Sequence, residues 1–270
     1  MAPVKRAIER YGIQPVSGRV LAGLGLALLV AACGGDEARP AAAGSAAADA
    51  PVAGAGSGWI MPPSVTGLRR DGTESVVSGQ ADPGGRVVLR TPAGRAYAAV
   101  ADAEGRFEVR LTAVDGLVLT PEAQSGQETV PAPGRLVILD AARGSAVLIS
   151  AGGTSRRLGD GPVLSSVDHD GRAVILSGRA NPGSDVRVEL PGRGPIQVQA
   201  DASGHWRIGM DGSPPSEVRV DGQVFALPSM SVDSGDGAAS AINRLEREDG
   251  FLLKWQAPDG APQTSWLPRR

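Results

Sequence analysis

The chain contains a single thiol, and its setting restricts what that thiol can do. A thiolate can act as a nucleophile, ligate a metal or carry a covalent group. Cys33 stands at the end of an apolar run and directly before a stretch of Gly, Ala and Pro. Upstream, Lys5, Arg6, Arg10 and Arg19 face one acid, Glu9, and the segment Val20 to Ala32 holds only Val, Leu, Ala and Gly. That run is shorter than the roughly 20 residues a helix needs to cross a bilayer, and small residues end it, so residues 1–32 read as a processed export signal. With one cysteine, no internal disulfide can form, and an exported fold must rely on packing.

The remaining inventory for chemistry is thin. The two histidines, His169 and His205, lie in the turn Asp168-His169-Asp170-Gly171 and just before Trp206, and neither has metal-ligand spacing to another His or Cys. Both read as exposed turn residues. Asp168, Asp170 and Gly171 imitate the opening of a calcium loop, but Arg172 and Val174 stand where ligands should follow, so a turn is the expected reading. A second calcium arrangement would draw on Asp82, Asp102 and Asp201, and the same acids are accounted for as turn formers. No nucleophile elbow, phosphate-binding loop or zincin motif is present. The sequence thus calls for no catalytic residue, no metal and no cofactor, and the chain reads as a non-enzyme. Trp59, Trp255 and Trp266 lie outside the repeat described below; burial is their expected fate, and joint exposure would make a ligand patch for a glycan.

The end of the signal and the residue after it, Val30-Ala31-Ala32-Cys33, resemble the lipobox of bacterial lipoproteins. The resemblance implies that the Cys33 thiol receives a diacylglyceryl group, that cleavage falls before it and that the new amino terminus is acylated. Several acyl chains, at about 0.8 kcal/mol per buried methylene, hold a protein on a membrane where one chain would not. The residue after the cysteine is Gly34 rather than Asp, which by the same resemblance favours delivery to the outer membrane. Residues 33–58 continue as an Ala/Gly/Pro linker, and the stretch from Gly34 to Gly58 has one Val as its only large apolar residue. It cannot bury enough surface to offset the entropy of ordering, and as a flexible coil it would span about 25–30 Å.

Beyond the linker the chain repeats itself. A shift of 99 residues aligns Pro63–Arg110 with Pro162–Gly209 without a gap, and 14 of 48 pairs are identical. The identities fall where turns belong: Asp71-Gly72 with Asp170-Gly171, Ser78-Gly79 with Ser177-Gly178, Pro83-Gly84 with Pro182-Gly183, and Asp102 and Gly105 with Asp201 and Gly204. Between them, apolar residues keep a spacing of two, as in Val87 and Leu89 against Val186 and Val188, and Phe107 and Val109 against Trp206 and Ile208. That period belongs to half-buried strands. The shared pattern S-G-x-A-[DN]-P-G-x-x-V followed by A-D-A-x-G-x-[FW] resembles the small Ig-like and prealbumin-like β-sandwich modules of bacterial envelope proteins. It implies an all-β fold of two tandem antiparallel β-sandwich modules, over 59–161 and 162–270.

Arg135–Leu139, Ser145–Ile149 and Arg156–Leu158 read as further strands. Near the C-terminus, Ala238, Ala241, Ile242 and Leu245 recur at helical spacing, with Asp236 as a cap and Gly250 as a stop, so a short helix is expected. A hairpin should follow, Phe251–Trp255 and Gln263–Leu267 around Pro258-Asp259-Gly260.

Net charge excludes one class of partner. The whole chain is −2 and residues 1–32 carry +3, which leaves −5 after signal removal and no basic field for nucleic acid. The expectation is a lipid-anchored cell-envelope protein, a non-catalytic structural or binding scaffold whose partners are the membrane and an envelope protein or glycan. A peptidoglycan-binding or adhesin-like surface module is the alternative, and an envelope enzyme or accessory subunit a third reading.

Overall fold

The alternation that marks half-buried strands builds the whole of the described molecule. A computed structural model describes residues 59–232 and 242–269, all within one compact unit of the chain. The signal, Cys33 and the linker lie outside the described residues. The first repeat supplies β1 (Ser64–Asp71), β2 (Glu74–Gln80), β3 (Arg86–Arg90), β4 (Ala96–Val100) and β5 (Arg106–Leu111). Next come β6 (Val118–Ser125), β7 (Glu128–Pro131), β8 (Gly134–Asp140), β9 (Ser145–Ser150) and β10 (Arg156–Leu158). The second repeat opens with β11 (Leu164–His169), β12 (Ala173–Arg179), β13 (Asp185–Glu189), β14 (Ile196–Gln199) and β15 (His205–Asp211). It closes with β16 (Glu217–Val220), β17 (Gln223–Ala226), β18 (Ile242–Arg247), β19 (Gly250–Gln256) and β20 (Pro262–Pro268).

The fold is all-β, and its sheets are antiparallel and stacked as sandwiches. Four sheets form, with strand orders β1-β2-β5, β10-β9-β8-β6-β3-β4 with β7 on β6, β15-β12-β11-β20-β19-β18, and β14-β13-β16-β17. The 99-residue repeat is a repeat of structure as well. The first strand of each copy carries a bulge at the same place, between Val65 and Gly67 and between Leu164 and Ser166. The turns match bond for bond: Ala81 N–H donates to Gly105 O at 2.8 Å and Ala180 N–H to Gly204 O at 2.9 Å.

Glycine in the Ser-Gly pair is required by close approach. Gly79 pairs with Phe107, and Gly178 with Trp206. A Cβ on Gly178 would lie 1.8 Å from Val163 O and 2.5 Å from the Trp206 ring, and one on Gly79 would meet Ser64 O at 2.2 Å and the Phe107 ring at 2.5 Å. Each aromatic ring lies over the glycine opposite it, so the S-G and [FW] of the repeat are two halves of one contact.

Three cores fill the stack. Val77, Val87, Phe107, Val109, Leu119 and Ile138 join the three-stranded sheet to the seven-stranded one. Val174, Leu176, Val186, Val188, Trp206 and Trp266 join the six-stranded sheet to the four-stranded one. The third core lies between repeats, where Val137, Leu139, Val147 and Ile149 of β8 and β9 meet Phe251, Leu253, Trp255 and Leu267 of β19 and β20. The hairpin that ends the chain is therefore buried on both faces: Leu252 and Trp266 point into the second core while Leu253 and Leu267 point into the third. Arginines complete this seam by donating to carbonyls across it, Arg135 to Gln256 at 2.7 Å, Arg244 to Leu139 at 2.7 Å and Arg157 to Pro268 at 2.6 Å.

The expected C-terminal helix is not seen. Asp236, Ala238 and Ala241 lie outside the described residues, while Ile242 and Leu245 belong to β18, paired with β19 from Ile242↔Trp255 to Arg247↔Gly250. An exposed edge of β19 offers the segment six residues of backbone pairing, and Arg244 turns inward to stack 4.6 Å from the Phe251 ring. Leu245 faces solvent, so the helical apolar face read from the sequence has no counterpart, and tertiary pairing overrides local spacing. The hairpin around Pro258-Asp259-Gly260 does form, closed by Gly260 N–H to Ala257 O at 2.9 Å.

Candidate functional site

The six-stranded sheet is wider than the layer that covers it, and the uncovered part is where functional side chains collect. Its face toward the first repeat is apolar on β19 and β20, where β8 and β9 pack on it. Farther along the same face come Asp168, Ser177, Arg179, His205 and Arg207, because cross-strand pairing sets Arg179 opposite His205 and Ser177 opposite Arg207. The segment Thr154–Arg157 forms a wall. Floor and wall enclose a cleft of about 510 Å³, within the size range of small-ligand sites, about 300–1,000 Å³.

At the boundary between the covered and open parts sits a buried carboxylate. Asp168 accepts hydrogen bonds from Ser155 N–H at 2.8 Å, Ser155 Oγ at 2.5 Å, Ser166 Oγ at 2.8 Å and Ser265 Oγ at 2.6 Å. Ser177 Oγ lies 2.8 Å from Ser166 Oγ and extends the network toward the cleft. Burial pushes the Asp168 carboxyl above the usual range, and the serine donors offset part of that rise. Ser155 precedes β10 of the first repeat, while Ser265 belongs to the terminal hairpin. One side chain thus ties three segments together. Asp168 was expected in an exposed turn, and its place on β11, opposite Ile175, is what buries it. His169 is likewise buried rather than exposed, with Nδ1 3.0 Å from Ala173 O. Asp170 does form the turn, accepting from Arg172 N–H and Ala173 N–H at 2.8 and 2.7 Å.

The cleft itself is cationic. Arg156, Arg157, Arg179 and Arg207 line it with His205, against one acid, Asp201. Desolvation lowers the His205 pKa, and repulsion from Arg179 and Arg156 adds to it, with Asp201 opposing. Arg156 is lowered by burial and by Arg179, and burial takes Arg157 down to about 10. Asp201 is already engaged as the turn former expected of it, its Oδ1 accepting from Ser203 N–H at 2.8 Å and His205 N–H at 2.9 Å. Asp102 does the same in the first repeat, for Glu104 and Arg106 N–H at 3.0 and 2.8 Å. Among the described residues no group of three or more His, Cys, Asp or Glu is placed to hold a metal ion.

The three tryptophans named above are not brought together. Trp59 is 86% exposed, whereas Trp255 is buried in the core between the repeats and Trp266 in the second core. Residues one strand apart in parity face opposite sides of a sheet, which separates Trp255 from Trp266. Sequence reasoning passed over the arginines of the cleft. Their signal lay in the repeat alignment, which sets Arg179 against Gln80 and Arg207 against Glu108.

No protein-family model matches the chain, and no curated protein matches it. Among solved structures, the chain is similar to one described as a biofilm-associated protein, BSP domain, at 15% identity and a TM-score of 0.23. The match covers 61% of this chain and 28% of that one, so the chain spans less than a third of that structure's length. A likeness at that TM-score shows nothing about function.

Proposed function

We propose that the chain is a non-catalytic scaffold of the cell envelope, tethered to the outer membrane by lipid on Cys33 and standing off it on the linker of residues 34–58. The observation that carries the structural half of this reading is the core between the repeats. Leu139, Val147, Leu253 and Leu267 are buried there to 1% exposure or less, which makes the two sandwiches one body rather than beads on a flexible string. A single body on a long linker suits a spacer or a presenting module. The anchoring half rests on Val30-Ala31-Ala32-Cys33 and the basic, then apolar, residues before it. Metabolic labelling with an alkyne fatty acid tests it: the wild type takes up label and Cys33→Ala does not, whereas equal labelling of the two would remove the anchor.

A second reading, binding of an envelope ligand, is favoured by the cleft at Arg156, Arg179 and Arg207.

A further inference from the structure

The two repeats act as a built-in comparison for the charge on this face. In the first repeat the arginines are matched: Arg69 pairs with Asp71 at 3.3 Å and Glu108 at 3.2 Å, Arg110 with Asp71 at 2.7 Å, and Arg106 with Asp102 at 2.9 Å and Glu104 at 2.8 Å. At equivalent positions the second repeat puts Arg207 for Glu108, Arg179 for Gln80 and Ser203 for Glu104. The same alignment replaces Arg69, Arg106 and Arg110 with Asp168, His205 and Gly209, so what differs is the pairing: Arg179 and Arg207 stand without the carboxylates Glu104 and Glu108 that match arginines in the first copy. Among the described residues neither the Arg179 nor the Arg207 guanidinium has a hydrogen bond or an ion pair, and with Arg156, whose pKa Arg179 lowers by repulsion, they leave a cluster of like charge.

Acceptors are short beneath the cleft surface as well. Arg157 Nε, Trp206 Nε1 and His205 Nε2 are buried without a partner, and all three belong to residues lining the cleft. An indole or guanidinium nitrogen can only donate, so Arg157 and Trp206 lack acceptors. The buried carboxylate of Asp168 is saturated by its serines. Around these donors stand neutral polar groups, Thr154, Ser165, Ser177 and Gln199, able to bond hydroxyls.

We propose that this cleft binds an oxyanion, carboxylate or phosphate, borne on a small sugar. Arg179 and Arg207 project from adjacent strands and supply forked donors to the anion; the hydroxyls and Gln199 take the sugar. Arginine is suited to this role because its planar fork matches both groups in bidentate fashion. This inference rests on the binding reading and is independent of the lipid anchor.

Titration calorimetry on the full chain in detergent tests it, with a galacturonate disaccharide, its methyl ester, glucose 6-phosphate, glucose and inorganic phosphate as probes. At least one of the two acidic sugars binds, its neutral counterpart binds roughly tenfold more weakly or worse, and Arg179→Gln with Arg207→Gln loses roughly tenfold or more, as the removal of charged hydrogen bonds requires. Both arginines are exposed, so the double variant keeps its melting temperature. Arg106→Gln in the first repeat leaves binding unchanged. Equal binding of the neutral sugars, unchanged binding by the double variant, or no binding of any probe would overturn the assignment. Inorganic phosphate binding as tightly as the acidic sugars would overturn the sugar-borne form of it. Equal acylation of the wild type and Cys33→Ala, with sugar binding intact, would count against the anchor alone.

Discussion

Ser155 and Asp168 are joined by two hydrogen bonds, backbone amide to Oδ2 at 2.8 Å and hydroxyl to Oδ1 at 2.5 Å, and this pair fastens the segment before β10 to the sheet of the second repeat. The amide can only donate, so Oδ2 must accept, and any proton the carboxyl takes up resides on Oδ1, where Ser155 and Ser265 hydroxyls can turn to accept it. Asp168→Asn reproduces that arrangement with the amide NH₂ in place of Oδ1–H. It should be as stable as the wild type at neutral pH or more so. Asp168→Ala strands the Ser155 amide and should cost about 1–3 kcal/mol in urea denaturation.

The pH dependence follows from the direction of the Asp168 shift. Its carboxyl is raised in the folded state, mainly by desolvation, so the folded protein holds the proton more tightly than the unfolded chain. The stability this contributes is complete below the ordinary carboxylate value and is lost as pH rises through the folded one. Melting temperatures of the wild type, relative to Asp168→Asn, should therefore fall as pH rises from about 4 toward neutrality. A difference that stays flat, or grows in favour of the wild type, would contradict this.

Gly178 and Trp206 give a steric test. Gly178→Ala forces a Cβ against Val163 O and the indole, and should lower stability by about 1–3 kcal/mol or prevent folding, by overpacking. Gly194→Ala meets nothing within 4 Å and serves as the matched control, with a change within about 0.5 kcal/mol. Thermal denaturation of the two variants, read side by side, separates a crowded glycine from an open one.

Much of this was legible in the sequence, and the reasons for the gaps are physical. Turn residues and period-two apolar spacing mark β1–β5 and β11–β15 because Gly and Pro restrict the backbone locally and a strand buries alternate side chains. The terminal hairpin was legible from Pro258-Asp259-Gly260 for the same reason. β18 was not, since Ile242 and Leu245 fit a helix in isolation and only the open edge of β19 makes them a strand. Asp168 and His169 were misread because a residue next to a turn is buried or exposed according to what covers the sheet, and the cover comes from Ser155 and the distant Ser265. Trp255 and Trp266 were expected to be buried, but their separation into two cores needed the register of β19 against β20.

Leu253 tests whether the repeats share stability. It is fully buried in the core between them, and Leu253→Ala should cost about 2–5 kcal/mol. Hydrogen exchange should show faster opening in both β9 of the first repeat and β20 of the second. Acceleration confined to β20 and its neighbours in the six-stranded sheet would mean that the core does not couple them.

The central claim is that two sandwiches form a single rigid body. Spin labels at Val100→Cys on β4 and Val224→Cys on β17, both exposed and in different repeats, report on it directly when placed in the Cys33→Ser chain. Pulsed electron-electron double resonance should give one narrow distance distribution, unchanged by the linker. A broad or multimodal distribution from a folded sample would show two modules moving independently and would contradict the account.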